Sequence, residues 1–141
     1  MSKAVISSFI VGGALLLAAG AAFSQPAPAA PAAAPAAGDA AHGDTLFKQR
    51  CSGCHTAGDY VGDSSGPDLD GVVGRTAGTQ KGFDYSDGLA KSALVLTPAT
   101  LDQFLSGPAA LVPGSTMGVK VAQPEVRADI IAYLATLKAP K

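Results

Sequence analysis

Tryptophan is absent from the 141 residues, aromatic side chains make up 6%, and the chain has only two cysteines, two histidines and two methionines. So few large side chains leave little material for a core built from protein alone, and small domains already bury a smaller share of their surface than large ones. Charge is scarce as well: 15% of residues are charged, and the formal net charge is −1. No run of Lys or Arg marks a nucleic-acid face or a patch for anionic lipid. Strand-like alternation and internal repeats are both missing. These absences point away from β architectures, and from binders that work by charge.

What is present begins with an apolar run. Lys3 gives a positive start, Ala4 to Ala19 is apolar or small throughout, and Ala22-Phe23-Ser24 fits a small-x-small cleavage site that would leave Gln25 as the new terminus. Cleavage after Ala21 or Ala22 fits nearly as well. The same stretch, counted from Ala4 to Phe23, reaches the ~20 residues that span a bilayer. Residues 1–24 therefore read as a signal peptide, or as an uncleaved anchor; both carry the rest of the chain across a membrane. Gln25 to Ala37 is almost entirely Ala and Pro. Proline at that density blocks a helix, so residues 25–38 read as an extended linker.

The folded domain is expected over residues 39–141. Without Lys3 it carries nine basic and eleven acidic residues, a net charge of −2. Three helices are legible. The first runs from about Asp39, a candidate N-cap, to Arg50, with Gly43, Leu46 and Phe47 on one side. The second opens at Thr97-Pro98, an N-cap followed by proline at the first helical position, and ends at Gly107-Pro108. The third starts at Pro124, and Val126, Ile130, Ile131, Leu134 and Leu137 form a broad apolar stripe along it. Between them, Ala57 to Asp84 and Gly107 to Gln123 are rich in Gly, Pro, Asp and Ser. Structureless loops longer than ~12–15 residues need a reason in a compact domain. A large apolar cofactor at the centre supplies one.

Cys51-Ser52-Gly53-Cys54-His55 identifies that cofactor. Cys-x-x-Cys-His is the attachment pattern of a c-type haem. One turn of chain sets two sulfurs apart to form thioethers with the two vinyl groups, and the adjacent His55 offers an imidazole to the iron as proximal ligand. Three other readings compete. A disulfide across four residues would be strained and would stabilise little. Zinc needs four ligands, and the domain offers the two cysteines, His55 beside one of them, and His42. A thioredoxin-type pair needs a βαβ setting that is missing.

Met117 is the single methionine of the domain and lies in Val112-Pro113-Gly114-Ser115-Thr116-Met117-Gly118, a segment with neither helical nor strand periodicity. A lone methionine is ordinarily core filler. Without a periodic pattern around it, a role as sixth iron ligand through its soft sulfur is the stronger reading. His42 is the competing ligand, placed at the start of the first helix, where it is expected to face solvent.

Taken together, these segments resemble the class I cytochromes c, in particular the bacterial c2 and mitochondrial-like group. The likeness spans residues 39–141 and is carried by Gly43-x-x-x-Phe47 before the cysteine motif, Gly66-Pro67-Asp68-Leu69-x-Gly71-Val72-Val73-Gly74-Arg75, Gly82-Phe83-Asp84-Tyr85-Ser86, Val112-Pro113-Gly114-x-x-Met117, and Ile130-Ile131-Ala132-Tyr133-Leu134. The resemblance implies an all-α fold wrapped round one covalent haem c. It implies that Gly43 and Phe47 meet the last helix near Tyr133, that the Pro67 carbonyl holds the far ring nitrogen of His55, and that Arg75 and Tyr85 bind a buried propionate. It also marks departures. Leu96 stands where the family commonly has Trp, Phe104 where it often has a Tyr donating toward the methionine sulfur, and Gly118-Val119 where an aromatic often comes next.

The function implied is single-electron carriage in the periplasm, with no enzymatic reaction. The partners expected are redox proteins such as a bc1-type complex, a terminal oxidase or a periplasmic dehydrogenase. The carrier is expected to be a monomer that binds no nucleic acid and touches the membrane only if its N-terminal segment is uncleaved. A haem-based gas sensor or peroxidase with a labile sixth ligand is the alternative. A permanently bound subunit of a larger oxidoreductase is a third reading.

Overall fold

The computed structural model describes residues 37–139. The signal or anchor assigned to residues 1–24, and all but the end of the linker assigned to residues 25–38, lie outside the described residues. Among the described residues five helices succeed one another in chain order: α1 (Ala40–Arg50), α2 (Asp87–Ala90), α3 (Pro98–Ser106), α4 (Pro108–Leu111) and α5 (Pro124–Thr136). Among the described residues no strand forms, in keeping with the all-α expectation; two isolated bridges pair Ala57 with Tyr60 and Thr76 with Val95.

Each long helix starts for a local reason. Asp39 caps α1, its carboxylate accepting from the Ala41 and His42 N–H groups at 2.8 and 3.1 Å, which satisfies two otherwise orphaned donors. Thr97 caps α3 by accepting from the Thr100 N–H at 3.2 Å, and Pro98 occupies the first helical position. Pro124 does the same for α5, where Glu125 in the first turn suits the positive end of the helix dipole. The three observed starts, and the ends of α1 and α3, agree with those read from the sequence to within a residue.

Two one-turn helices are additions. α2 lies just beyond the long Gly-rich stretch, and α4 begins immediately after the Gly107-Pro108 break that ends α3. Four residues are too few to show a 3.6-residue apolar repeat, so neither carries a periodic signal. Pro108 at the first position of α4 is itself buried; the proline that stops one helix starts the next.

α1 and α5 pack directly against each other. Gly43 makes this possible: a Cβ at that position would collide with the Asp129 carbonyl oxygen and come within 2.9 Å of the Tyr133 Cβ. Around the crossing, Phe47 and Ile130 are fully buried, and the Phe47 ring sits 5.3 Å from that of Tyr133 and 5.8 Å from that of Tyr60. Asp129 of α5 fastens the start of α1. One of its carboxylate oxygens accepts from the Asp39 N–H at 2.7 Å, and the other lies 2.7 Å from His42 Nδ1.

The long segment before α2 is held by turns and by its backbone partners on the segment ahead of α3. Gly74 N–H donates to Leu96 O at 2.9 Å, Leu96 N–H to Arg75 O at 2.9 Å, and Ala77 N–H to Leu94 O at 2.8 Å. Leu96, Leu101, Leu105 and Val121 join Phe47, Ile130 and Leu134 in a continuous apolar cluster. It lines a central cavity instead of filling the middle.

Gly43→Ala should lower stability by about 1–3 kcal/mol or more, the usual effect of overpacking a close contact; an unchanged melting temperature would show that the helices can separate freely. The hydrogen bond from the Asp39 N–H and the contact with His42 hold the Asp129 carboxyl below the usual carboxylate range. A depressed carboxyl contributes stability above its unfolded-state pKa and loses it as pH falls through the folded value. Asp129→Asn should therefore lower the melting temperature at pH 7, and the gap to wild type should close on acidification. A gap independent of pH would contradict this account.

Candidate functional site

The cavity is bounded by elements from both ends of the domain. Its lining includes Phe47, Cys51, Cys54 and His55 from the end of α1 and the turn beyond it, Arg75 and Tyr85 from the loops, Leu101 and Phe104 from α3, Met117, and Ile130 and Leu134 from α5. Its volume is about 330 Å³, and it opens to solvent at one side. Every residue that the sequence placed at the site meets this one space: Cys51, Cys54, His55, Pro67, Arg75, Tyr85 and Met117. His42 does not line it. Its side chain is 57% exposed and paired with Asp129.

The cysteine motif continues α1 by one turn. Cys51 N–H and Ser52 N–H both donate to Phe47 O, at 2.8 and 3.0 Å, and Cys54 N–H and His55 N–H both donate to Cys51 O, at 3.1 and 3.0 Å. Ser52 Oγ donates to Lys48 O at 2.7 Å. These bonds satisfy the Phe47 and Lys48 carbonyls at the end of α1 and hold the turn that carries the two cysteines. Burial pushes the Cys51 thiol up to about 11, against a smaller downward pull from Arg50. Reactive redox cysteines have the opposite character, a lowered pKa, which argues against the thioredoxin-type reading.

His55 is gripped on one side. Its Nδ1 lies 2.8 Å from the Pro67 carbonyl oxygen. A carbonyl only accepts, so Nδ1 carries the proton and Nε2 keeps its lone pair. Gly66 packs against the same ring. A Cβ there would come within 2.5 Å of Nδ1 and 2.9 Å of Nε2, so the backbone can lie this close only without a side chain. The strap from Gly62 to Leu69 is stitched to the motif through Asp63 N–H to Gly53 O at 3.1 Å, Gly66 N–H to Cys54 O at 3.1 Å and Leu69 N–H to Thr56 O at 2.9 Å.

Polar groups reach the cavity from the loops. The Arg75 guanidinium donates to Asp68 O at 2.8 Å, Asp70 O at 3.2 Å and Gln80 Oε1 at 2.8 Å. Tyr85 has its pKa raised, chiefly by burial and against the lowering effect of Arg75, and its ring meets Phe83 edge-on with centroids 4.9 Å apart. Nothing in the sequence singles out Gln80. A lone glutamine in a turn-rich loop carries no periodicity or motif, and only the fold brings it to Arg75. Leu96 and Phe104, the two departures, are buried and line the same cavity.

Two thiols, an imidazole with a free Nε2 and a thioether, set in apolar walls with an arginine and a tyrosine nearby, match the donor set of a thioether-linked haem. Comparison with known proteins agrees. The cytochrome c family model matches residues 40–138. The cytochrome c2 of Rhodomicrobium vannielii is 46% identical over 106 residues, covering 74% of this chain and 84% of the relative. Among solved structures, cytochrome cH from Methylobacterium extorquens superposes with a TM-score of 0.64 at 42% identity, covering 70% of this chain and 99% of its own. Cytochrome c2 from Rhodospirillum centenum gives a TM-score of 0.67 at 30% identity, covering 72% of this chain and all of its own. The fold, the cofactor-binding motif and these relatives converge on one assignment: the chain belongs to the cytochrome c family, as a class I electron carrier with one covalently bound haem c.

Proposed function

We propose that the chain is a periplasmic carrier that passes single electrons between redox proteins of a respiratory or photosynthetic chain, with residues 39–141 as the working domain. The observation that carries this reading is that His55 and Met117, from segments far apart in the chain, line one apolar cavity together with both cysteines. A bound haem supplies the one-electron iron couple. The residues do the rest. Cys51 and Cys54 anchor the group through thioethers, His55 presents the Nε2 lone pair that the Pro67 contact leaves free, and Met117 offers a soft sulfur that favours the reduced state. Arg75 and Tyr85 take a propionate, the cation offsetting its charge.

Were His55 and Met117 both to hold the iron of a bound haem, their side chains would leave no position for a substrate. Electron transfer then needs little movement of the ligands. The donors and acceptors that fit are a bc1-type complex or periplasmic dehydrogenase on one side and a terminal oxidase on the other, engaged in small, transient contacts. Export is supported by the signal-like residues 1–24, since this kind of haem attachment takes place outside the cytoplasm. Retention of that segment would instead tether the carrier to the membrane through the linker at residues 25–38.

Spectra of the matured protein test the assignment. The oxidised form should show a methionine-to-iron charge-transfer band, and the reduced form should ignore CO. Met117→Ala should abolish the band and bind CO readily. A wild-type protein that lacks the band and takes up CO would put the gas-sensor or peroxidase reading in front. Phe104 lines the cavity but has no hydrogen to donate. Phe104→Tyr would turn a positive O–H end toward the iron site and disfavour the more positive oxidised state. The potential should rise by roughly 20–60 mV, the one-electron equivalent of about 0.5–1.5 kcal/mol for one hydrogen bond; an unchanged potential would rule out such a bond.

A further inference from the structure

Arg127 is the buried charged side chain of the described domain, only 8% exposed. From α5 it reaches two ways. Nε donates to Asp102 Oδ1 at 2.6 Å and Nη2 to Asp102 Oδ2 at 3.4 Å, tying α5 to α3. Nη1 donates to the carbonyls of Val121 and Ala122 at 3.0 and 2.8 Å. A buried ion pair is weak evidence of stabilisation by itself, because an apolar replacement of similar volume often serves as well. An apolar side chain, however, could not hold those two carbonyls, and they belong to the segment that joins Met117 to α5.

That segment has few other restraints. The Met117 N–H makes only a long contact, 3.4 Å, with Ser115 Oγ, and Gly118, Val119 and Lys120 are exposed. Upstream, the fixed point is Val112, which is buried and whose carbonyl accepts from the Ser115 N–H at 3.0 Å. Downstream, it is Val121, 1% exposed. The Val121 N–H donates to Leu105 O at 2.9 Å, and its carbonyl is held by Arg127. Met117 hangs between these two points, and Arg127 secures one of them.

We propose that Arg127 is a positioning residue for Met117: by pinning Val121 and Ala122 it sets how rarely the thioether leaves the cavity. This rests on the reading of Met117 as the sixth ligand. The arginine fork suits the task because its rigid plane serves a carboxylate and two carbonyls together, which a lysine ammonium on a flexible stem cannot match. Arg127 does not line the cavity, so its influence passes through the backbone of the methionine segment.

Imidazole added to the oxidised holoprotein reads this directly. It reaches the iron only when Met117 has left, so its apparent Kd is the intrinsic value divided by the open fraction. In the full-length, haem-loaded protein, Arg127→Met should bind imidazole about tenfold tighter or more than wild type, through a matching rise in the open fraction. Arg127→Lys should fall between the two, and Asp102→Asn, which loosens the fork but spares the carbonyl bonds, should show a smaller gain. These two milder variants carry the test if Arg127→Met does not fold. Leu137→Ala, just past the far end of α5, should lower the melting temperature and leave imidazole affinity unchanged. If the Arg127 and Asp102 variants melt earlier yet bind imidazole as wild type does, Arg127 merely packs α5 and the inference is overturned alone. If wild type already binds imidazole as tightly as Met117→Ala, the sixth-ligand reading falls and takes the inference with it.

Discussion

The close crossing of α1 and α5 is the constraint on which the rest of this structure depends. It needs a backbone-to-backbone approach that only a glycine at position 43 allows, and Asp129 secures it by holding the first residues of α1. Once α1 is fixed on α5, the turn beyond Arg50 has a fixed place too, and with it Cys51, Cys54 and His55. The same α5 gives the cavity Ile130 and Leu134 and gives Arg127 to the segment behind Met117. One contact between the ends of the domain thus fixes the two helices that carry the cysteine motif and one wall of the cavity.

The loops fill in the remainder by backbone bonding. The Gly62–Leu69 strap is held against the motif by three inter-segment hydrogen bonds and delivers Pro67 to the His55 ring. The stretch around Arg75 borrows its partners from the segment ahead of α3. With so few large side chains, the domain relies on such bonds to place loops that pack on a cofactor. That explains why long segments without helix or strand are ordered parts of a small domain.

The three long helices are legible in the sequence because each has a cap or a proline at its start and a periodic apolar face. Asp39, Thr97-Pro98 and Pro124 mark those starts, and the stripe from Val126 to Leu137 has room to repeat. The cysteine motif is legible because its spacing is local. α2 and α4 are not, since one turn of helix has no period to read. Nor are the roles of Gln80 and Arg127. Both depend on partners brought close by the fold, Gln80 on Arg75 and Arg127 on Asp102 twenty-five positions away. Arg127 interrupts the apolar pattern of α5 and, taken as sequence alone, looks like an ordinary solvated charge.

The division of the cavity between the two ends of the chain bears on the order in which the protein is made. Cys51, Cys54 and His55 lie within a single turn, so the groups that would attach the cofactor are brought together locally, without any later part of the chain. The wall formed by Ile130 and Leu134 belongs to the last helix and cannot exist until the end of the domain has arrived. Attachment can therefore precede enclosure during maturation. Docking of α5 would then add the last apolar wall, and with it the shielding from water that a redox centre needs.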